Sequence, residues 1–206
     1  MLEVPVFNMK GDRTGAVQLD PEVLGGRVRP QLLKQAVVAF LDRQRQHSAR
    51  TKGKAQTAGS TRKLYRQKGT GNARVGQVRT PVRRGGGRAF AKRVPGAVVD
   101  FPKKMRRLAR NNAILVKIKS SDTLIIEDLN CKAAKTKVVA NMLASLGVDR
   151  GCVLATHELD RNVYLSGRNI PKTDVRVFES LTAYEVLRRR KLILTRPAFD
   201  LLASVG

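Results

Sequence analysis

The stretch YRQKGTGNARVG, residues 65–76, contains the residue types most suggestive of chemistry in this sequence. Gly69 and Gly71 resemble the start of a glycine-rich loop whose backbone N–H groups cradle phosphates. A dinucleotide-binding loop requires G-x-G-x-x-G between a strand and a helix, but the sixth position here is Arg74. Neither flank has the periodicity of a strand or a helix, and the Walker pattern G-x-x-x-x-G-K is absent. We therefore expect no nucleotide cofactor at this stretch.

The histidines, cysteines and carboxylates form no recognisable catalytic or metal-binding pattern. The two histidines are His47 and His157, and HELDR at 157–161 lacks the second histidine of the zinc motif H-E-x-x-H. Cys131 and Cys152 match neither a zinc spacing nor a C-x-x-C redox motif, so we expect reduced cysteines that pack in the core. The acidic residues are scattered, and their spacing singles out no acid–base pair. These patterns predict no catalytic residue, no metal and no cofactor.

The net charge is the strongest compositional signal. The 206 residues include 41 Lys or Arg and 16 Asp or Glu, which gives a formal charge of +25 and an isoelectric point near 11.3. Such an excess attracts polyanions, of which nucleic acid is the commonest. The sequence contains no basic amphipathic helix, lipidation motif or long apolar run that would indicate a membrane partner. We therefore expect a nucleic-acid-binding protein, and the reduced cysteines favour the cytoplasm.

Most of the excess charge lies in one segment. Residues 43–99 contain 16 Lys or Arg, no acidic residue and nine of the 17 glycines. The apolar residues in this segment are isolated, so neither helical nor strand periodicity persists. Such a composition cannot bury enough apolar surface to offset the entropy of ordering, which predicts a segment that is disordered or ordered by a partner. We predict a globular body, residues 1–46 and 100–206, and a basic arm, residues 47–99, that reaches about 90 Å when doubled over.

The rest of the chain alternates between apolar strands and amphipathic helices. Helices are predicted on both sides of the arm, beginning near Pro30 and Pro102, and Thr182 with Glu185 forms a capping-box pattern. This alternation predicts an α/β fold, a mostly parallel sheet with helices on both faces, with the long irregular basic arm inserted between two helices. The predicted strands are residues 2–7, 123–129, 152–156, 175–180 and 192–196, and the other predicted helices are residues 136–147, 160–169 and 182–190 and a last one from 197.

The arm and the helix after it carry the residues that we expect to bind RNA. Lys and Arg neutralise phosphates, glycine lets the backbone approach closely, and Arg, Tyr65 and Phe90 are able to stack on unpaired bases. Compact DNA readers usually place a helix in the major groove, and the arm has no helical pattern, so a folded RNA with crevices is favoured. The predicted RNA-binding residues are Arg43, Arg45, Arg50, Lys52, Lys54, Arg62, Lys63, Tyr65, Arg66, Lys68, Arg74, Arg79, Arg83, Arg84, Arg88, Lys92, Arg93, Lys103, Lys104, Arg106, Arg107 and Arg110.

Five stretches of the chain resemble a known protein family. The chain is similar to the bacterial form of the large-subunit ribosomal protein L-four family in QAVVAFLDRQRQ (35–46), RKLYRQKGTGNARVGQVRTPVRRGGGRAF (62–90), FPKKMRRLARNNA (101–113), RNVYLSGRNIPKTDVR (161–176) and LTAYEVLRRRKLILTRPAF (181–199). The resemblance implies a structural protein of the cytoplasmic ribosome, not an enzyme. Such a protein binds large-subunit rRNA of the 23S type and takes part in ribosome assembly and translation.

The resemblance also implies a position for the end of the arm. In the family, the arm passes through rRNA, and its tip lines a constriction of the nascent-peptide exit tunnel, opposite a loop of the L-twenty-two protein and near the macrolide site. The implied partners are therefore rRNA, other large-subunit proteins including the L-twenty-two protein, and the nascent peptide. Tyr65 stands where the family usually has Trp, and Asn72 where it has a basic residue, which reduces stacking area and charge. The implied tip comprises Arg66, Gln67, Lys68, Gly69, Thr70, Gly71 and Asn72.

Three functional hypotheses follow from the residues. The first is a structural rRNA-binding protein whose specificity comes from the shape of an RNA crevice rather than from base edges. The alternative is an α/β RNA-modifying enzyme with a basic RNA-docking insertion, which predicts tight binding of a nucleotide or S-adenosylmethionine. The third is a DNA-compacting protein, which predicts equal affinity for duplex DNA and rRNA.

Overall fold

The computed structural model describes residues 1–93, 100–131 and 133–204. The chain forms two compact units, one of Met1–Leu41 with Asp100–Gly206 and one of Asp42–Val99, which we call the first and the second unit. The second unit contains the predicted arm, of which residues 94–99 lie outside the described residues. The boundary between the two units lies after Leu41, whereas the sequence predicts that the body extends to residue 46.

The first unit is built on a six-stranded sheet. Its strands are β1 Leu2–Phe7, β2 Arg13–Leu19, β3 Thr123–Ile126, β4 Cys152–Thr156, β5 Thr173–Val177 and β6 Lys191–Thr195. They lie in the order β2-β1-β3-β6-β4-β5. β1 and β2 are antiparallel, and every other neighbouring pair is parallel. The predicted mostly parallel α/β sheet is therefore confirmed.

Helices cover both faces of this sheet. They are α1 Pro30–Arg43, α2 Lys103–Lys119, α3 Thr136–Ser145, α4 Arg161–Gly167, α5 Ala183–Arg188 and α6 Arg196–Ser204, and short 3-10 helices lie at Pro21–Leu24, Lys54–Gln56 and Phe178–Ser180.

Successive residues of a strand point to opposite faces of the sheet and therefore pack in different clusters. Ile125 and Leu192 pack in one apolar cluster with residues of α1, α2, α5 and α6, whereas Ile126 and Ile193 pack in a second cluster with residues of α3 and α4. The middle strands are buried on both faces, which explains their continuous apolar runs.

The predicted capping box at the start of α5 is confirmed. Glu185 donates its backbone N–H to Thr182 Oγ1 at 3.3 Å, and Thr182 donates its own N–H to Glu185 Oε2 at 3.0 Å. The other oxygen of Glu185 accepts a hydrogen bond from Arg176 Nε at 2.8 Å. Glu185 therefore satisfies the first turn of α5 and also links that helix to β5.

The strand predictions differ from the structure by more than one residue in three places, and the predicted strand 192–196 is shifted by one residue to Lys191–Thr195. β2 is absent from the prediction, because RTGAVQL is an exposed edge strand with only its last residue buried and shows no apolar alternation. The predicted strand 123–129 ends at Ile126, where polar residues follow the buried run. The predicted strand 175–180 instead covers Thr173–Val177, because the chain turns into a 3-10 helix at Phe178.

Both cysteines are buried and unpaired, as predicted. Burial raises the pKa of the Cys152 thiol to about 11 and also raises the pKa of Cys131. A thiol with a raised pKa contains little of the thiolate form that reacts. The two side chains are therefore inert packing groups of the first unit.

An ion pair fixes the end of α5 to β5. Arg189 donates from Nε to Asp174 Oδ2 at 2.5 Å and from Nη2 to Oδ1 at 3.2 Å. This bidentate hydrogen bonding is the main reason why the pKa of Asp174 lies below its ordinary value. Because the folded-state pKa is lowered, the stabilisation is present above the ordinary carboxyl pKa and is lost as the pH falls through the folded-state value.

Candidate nucleic-acid interface

Backbone hydrogen bonds join the two ends of the second unit. Thr51 donates its N–H to the carbonyl of Lys92 at 3.0 Å, and the Lys92 N–H donates to Thr51 Oγ1 at 2.7 Å. Arg88 donates its N–H to the carbonyl of Lys52 at 2.9 Å, next to a parallel bridge between Gly53 and Arg88. The outgoing and returning chains are therefore paired at this level, although the composition of the segment gave no indication of such bonds.

Gly87 allows this pairing because the two chains touch backbone to backbone there. The residue is buried, and a Cβ atom on it would overlap the Lys54 nitrogen and lie 2.5 Å from the carbonyl carbon of Gly53. A Cβ on the preceding Gly86 would overlap the carbonyl oxygen of Thr80. Gly86 and Gly87 are thus packing requirements of the second unit. In the sequence they stand out only as part of a glycine-rich composition.

Arg79 connects two other segments of the second unit through hydrogen bonds. Its Nη1 donates to the carbonyl of Thr57 at 3.0 Å, and its own carbonyl accepts the N–H of Gly87 at 3.1 Å. Its Nε is buried and has no hydrogen-bond partner among the described residues. The side chain is half-buried, whereas the other Lys and Arg residues of the segment are exposed. Arg79 therefore has a structural role in addition to the predicted contact with RNA.

The chain reverses direction within the implied tip, residues 66–72. An antiparallel bridge between Lys63 and Gln77 closes the loop, and the Leu64 N–H donates to the carbonyl of Gly76 at 3.1 Å. Gly69 and Gly71 have φ values of +74° and +68°, in the left-handed region that favours glycine.

Two side chains of the same loop bond back to its backbone. Arg66 Nη2 donates to the carbonyl of Gly69 at 2.9 Å, and the Tyr65 hydroxyl donates to the carbonyl of Ala73. The sequence GTG therefore forms part of a closed turn. It lies in neither a strand nor a helix of the described chain, so it does not have the setting of a dinucleotide-binding loop.

The charges of the second unit face solvent. Fifteen of the 16 Lys or Arg residues between 43 and 99 are exposed, Arg79 being half-buried. No ion pair joins any of these side chains to a carboxylate within the described parts of the chain. Exposed cations that have no carboxylate partner are available to bind phosphates, and this binding releases the counterions of the nucleic acid. The second unit therefore offers fifteen exposed cations without a carboxylate partner in the described residues.

One cleft of the second unit combines such cations with an exposed aromatic ring. It has a volume of about 910 Å³, and its lining includes Arg50, Lys54, Arg88 and Lys92. Phe90 also lines the cleft, and its side chain is 99% exposed. An exposed ring among cations suits an unpaired nucleotide, because the ring stacks on the base while the cations neutralise its phosphate.

Helix α2 of the first unit carries the remaining predicted RNA-binding residues. Lys103, Lys104 and Arg107 are exposed on its first turns, and Arg106 is exposed while its Nε donates to the carbonyl of Phe101 at 3.1 Å. Arg110 is half-buried, and its guanidinium lies 4.9 Å from the centre of the Phe178 ring. Burial and the nearby charge of Arg107 lower the pKa of Arg110. Arg110 therefore contributes to the packing of the first unit as well as to its charge.

The predicted residues thus fall into two groups. Tyr65 and the 16 arm and arm-flanking cations lie in the second unit, and the five cations of α2 lie in the first unit.

In the described residues, no group of His, Cys, Asp or Glu side chains has an arrangement that could hold a metal ion. None of the helices described here is long and apolar enough to cross a membrane.

Comparison with known proteins gives a consistent result. The model of the Ribosomal protein L4/L1 family matches residues 17–205. A protein of Methylocella silvestris named large ribosomal subunit protein uL4 is 37% identical over 203 residues, which are 98% of both chains. A protein with the same name from Symbiobacterium thermophilum is 39% identical over 198 residues, which are 96% of both chains. Another, from Bradyrhizobium sp. (strain ORS 278), is 36% identical over 203 residues, which are 98% of both chains. The resemblance found in the sequence is confirmed: the chain belongs to the Ribosomal protein L4/L1 family.

Proposed function

We propose that this chain binds large-subunit rRNA through the second unit, supports assembly of the subunit and lines the nascent-peptide exit tunnel with residues 66–72. One observation carries the proposal: fifteen exposed Lys or Arg side chains lie in a segment that contains no acidic residue. Membership of the family makes the chain a structural ribosomal protein and not an enzyme, and its place is the cytoplasmic ribosome. The RNA-modifying enzyme considered as an alternative is therefore set aside.

The form of the second unit favours a folded RNA over a DNA duplex. Its described residues contain one short 3-10 helix, Lys54–Gln56, and two isolated bridges, and none of these is a helix that could enter a major groove. An irregular cationic chain fits crevices between RNA helices, where phosphates approach from several sides. The cleft beside Phe90 adds a place for a base that is not paired. Recognition would then depend on RNA shape more than on base edges.

The tunnel-lining role rests on the match between residues 66–72 and the tip of the family's arm. The closed turn around Gly69 and Gly71 supports this role, because a narrow passage admits a chain that reverses within a few residues. The proposed partners at this position are the rRNA wall, a loop of the L-twenty-two protein and the passing nascent peptide. Asn72 is exposed and uncharged, so this chain offers one cation fewer to that wall than the family usually does.

The rRNA preference is tested by competition in solution. The full chain is titrated with a fragment of large-subunit rRNA and with a DNA duplex of equal length at moderate salt. We expect tighter binding to the rRNA and a steep fall in affinity with salt, because several phosphates are neutralised in each complex. Equal affinity for the duplex would contradict the proposal and support a DNA-compacting protein. Tight binding of S-adenosylmethionine or a nucleotide by the same preparation would instead favour the enzyme.

Reversal of one charge tests the tip. Lys68→Glu is expected to alter macrolide susceptibility several-fold in cells whose ribosomes carry the variant, because it moves the local charge by two units beside the tunnel. Its melting temperature should stay unchanged, since Lys68 is exposed and lies outside the apolar clusters of the first unit. Lys10→Glu, an exposed charge reversal in the first unit, is the matched control and should leave susceptibility unchanged. Equal drug responses from the two variants would rule out the assigned tip.

A further inference from the structure

A second cleft lies in the first unit, at the carboxyl ends of three neighbouring parallel strands. Its volume is about 670 Å³, and its lining comes from the segments that follow β3 and β4 and from the end of β6. The carboxyl edge of an open parallel sheet is the usual place for a ligand in α/β folds. The rRNA-binding proposal makes no use of this cleft. Its acidic lining residues are Glu127, Asp128, Glu158 and Asp160.

The charge of this cleft is opposite to that of the rest of the chain. Four of the 16 acidic residues of a protein with a net charge of +25 line it, and no Lys or Arg is among its lining residues. Glu127, Asp128 and Glu158 are exposed and form no ion pair within the described ranges. Asp160 caps α4, because its Oδ1 accepts the N–H groups of Asn162 and Val163 at 2.8 and 3.4 Å. Such a surface repels phosphate and attracts cations.

An unsatisfied hydroxyl gives a second, independent sign of a ligand. Thr195 ends β6 and lines the cleft with only 7% of its surface exposed, and its Oγ1 has no hydrogen-bond partner among the residues described. The corresponding group on the neighbouring strand is satisfied, because Thr156 Oγ1 donates to the carbonyl of Glu158 at 2.8 Å. The oxygen is covered from solvent, so a donor in the cleft meets it only after the Thr195 side chain rotates; because a buried hydroxyl without a partner is unfavourable, that contact would be stabilised.

We propose that this acidic cleft binds a lysine- or arginine-rich peptide segment of another protein. Cationic side chains of the segment lie between the carboxylates of Glu127, Asp128 and Glu158, and one donor reaches Thr195 Oγ1 once that side chain has rotated toward the cleft. Asp160 keeps its capping role and adds to the negative field. A bare divalent ion is disfavoured, because the described acidic and histidine side chains form no group suited to a metal. The size of the cleft admits several side chains, as an extended segment requires.

The test uses the full chain and a dye-labelled ten-residue peptide of alternating lysine and alanine. Binding is followed by fluorescence anisotropy at low salt, and the site is located by NMR shifts of the cleft amides. The double variant Glu127→Gln with Glu158→Gln is expected to weaken binding by about two- to fivefold for each carboxylate removed, the range of one exposed ion pair. The control Asp149→Asn with Glu179→Gln removes two exposed carboxylates that do not line the cleft and should leave affinity unchanged. Equal losses from both variants, or no loss from either, would overturn the proposal.

Thr195→Val separates a ligand contact from a structural role. The substitution keeps the shape and removes the unpaired hydroxyl, so we expect a slightly higher melting temperature together with weaker peptide binding. A raised melting temperature with unchanged peptide affinity would show that the hydroxyl does not meet the ligand and would overturn that contact. Spermidine and Mg²⁺ serve as competitors. If either competitor displaced the peptide at an equal concentration of positive charge, the cleft would be a general cation site, and the peptide assignment would be overturned.

Discussion

Deletion of residues 55–90 is expected to remove most of the affinity for rRNA while the first unit still unfolds cooperatively. The deletion takes away nine Lys or Arg residues but no member of either apolar cluster. With about 0.7 counterions released per phosphate of single-stranded nucleic acid, the slope of log affinity against log salt should fall by about six. The affinity at physiological salt should fall by about a thousandfold or more.

The structure indicates where the deleted chain can be rejoined. A Cβ on Gly53 would lie 3.5 Å from the Cβ of Ala91, so Lys54 and Ala91 can be connected by a short glycine linker. RNA binding is measured by titration at several salt concentrations, and folding by thermal unfolding. A chain of full length, in which the same nine cations are replaced by Gln, is the control for the loss of backbone, and it should lose affinity equally. Non-cooperative unfolding of the deleted chain, or retention of its RNA affinity, would contradict this account.

Gly87→Ala is expected to break the pairing of the outgoing and returning segments of the second unit. It should weaken rRNA binding by about tenfold, because cations that are no longer pre-organised must be ordered on binding. The added methyl group would overlap the Lys54 nitrogen and crowd Gly53, and backbone atoms cannot move aside as flexible side chains do. Faster amide exchange at Arg88 would report loss of its hydrogen bond to Lys52.

Gly76→Ala adds the same methyl group at a harmless position of the same unit. Its nearest contact would be the Thr80 Cγ2 atom at 3.8 Å, and its φ lies outside the left-handed region. This variant should bind rRNA and exchange its amides like the unaltered chain. If the two variants behaved alike, the close approach at Gly87 would not be what holds the second unit together.

The fold of the first unit is largely predictable from the sequence, because its strands and helices follow apolar patterns that only a two-sided core explains. Ile125 and Ile126 belong to opposite clusters, so a run such as TLII has no polar position and indicates a strand covered on both faces. β2 could not be predicted, because an edge strand with one buried residue is stabilised by its ladder with β1 rather than by its own side chains.

The second unit is predictable in charge but not in geometry. The absence of acidic residues between 43 and 99 indicates a polyanionic partner from the sequence alone. The role of Gly87 depends on Gly53, 34 positions earlier in the chain, and no local pattern connects the two residues. The double role of Arg79 is hidden for the same reason, since its partner Thr57 is distant in sequence.

The acidic cleft shows a further limit of sequence reading. Glu127, Asp128 and Glu158 follow different strands, and each one reads as an ordinary residue at a strand end. Their meeting depends on the strand order, in which β6 lies between β3 and β4. Parallel strands bring their carboxyl ends to one edge, so the cleft follows from the topology rather than from a motif.

Sedimentation of ribosomal subunits shows directly whether the second unit anchors the chain in the large subunit. Cells express a tagged copy of the full chain or of the chain without residues 55–90, and their large subunits are washed in high salt and sedimented. A basic segment enclosed by folded rRNA, as proposed, leaves only when that RNA opens, whereas a contact made by a few exposed charges on the subunit surface is lost as the salt concentration rises. We expect the full chain to stay with the large subunit and the deleted chain to be washed away. Release of the full chain, or equal retention of both chains, would contradict an anchoring role of the second unit.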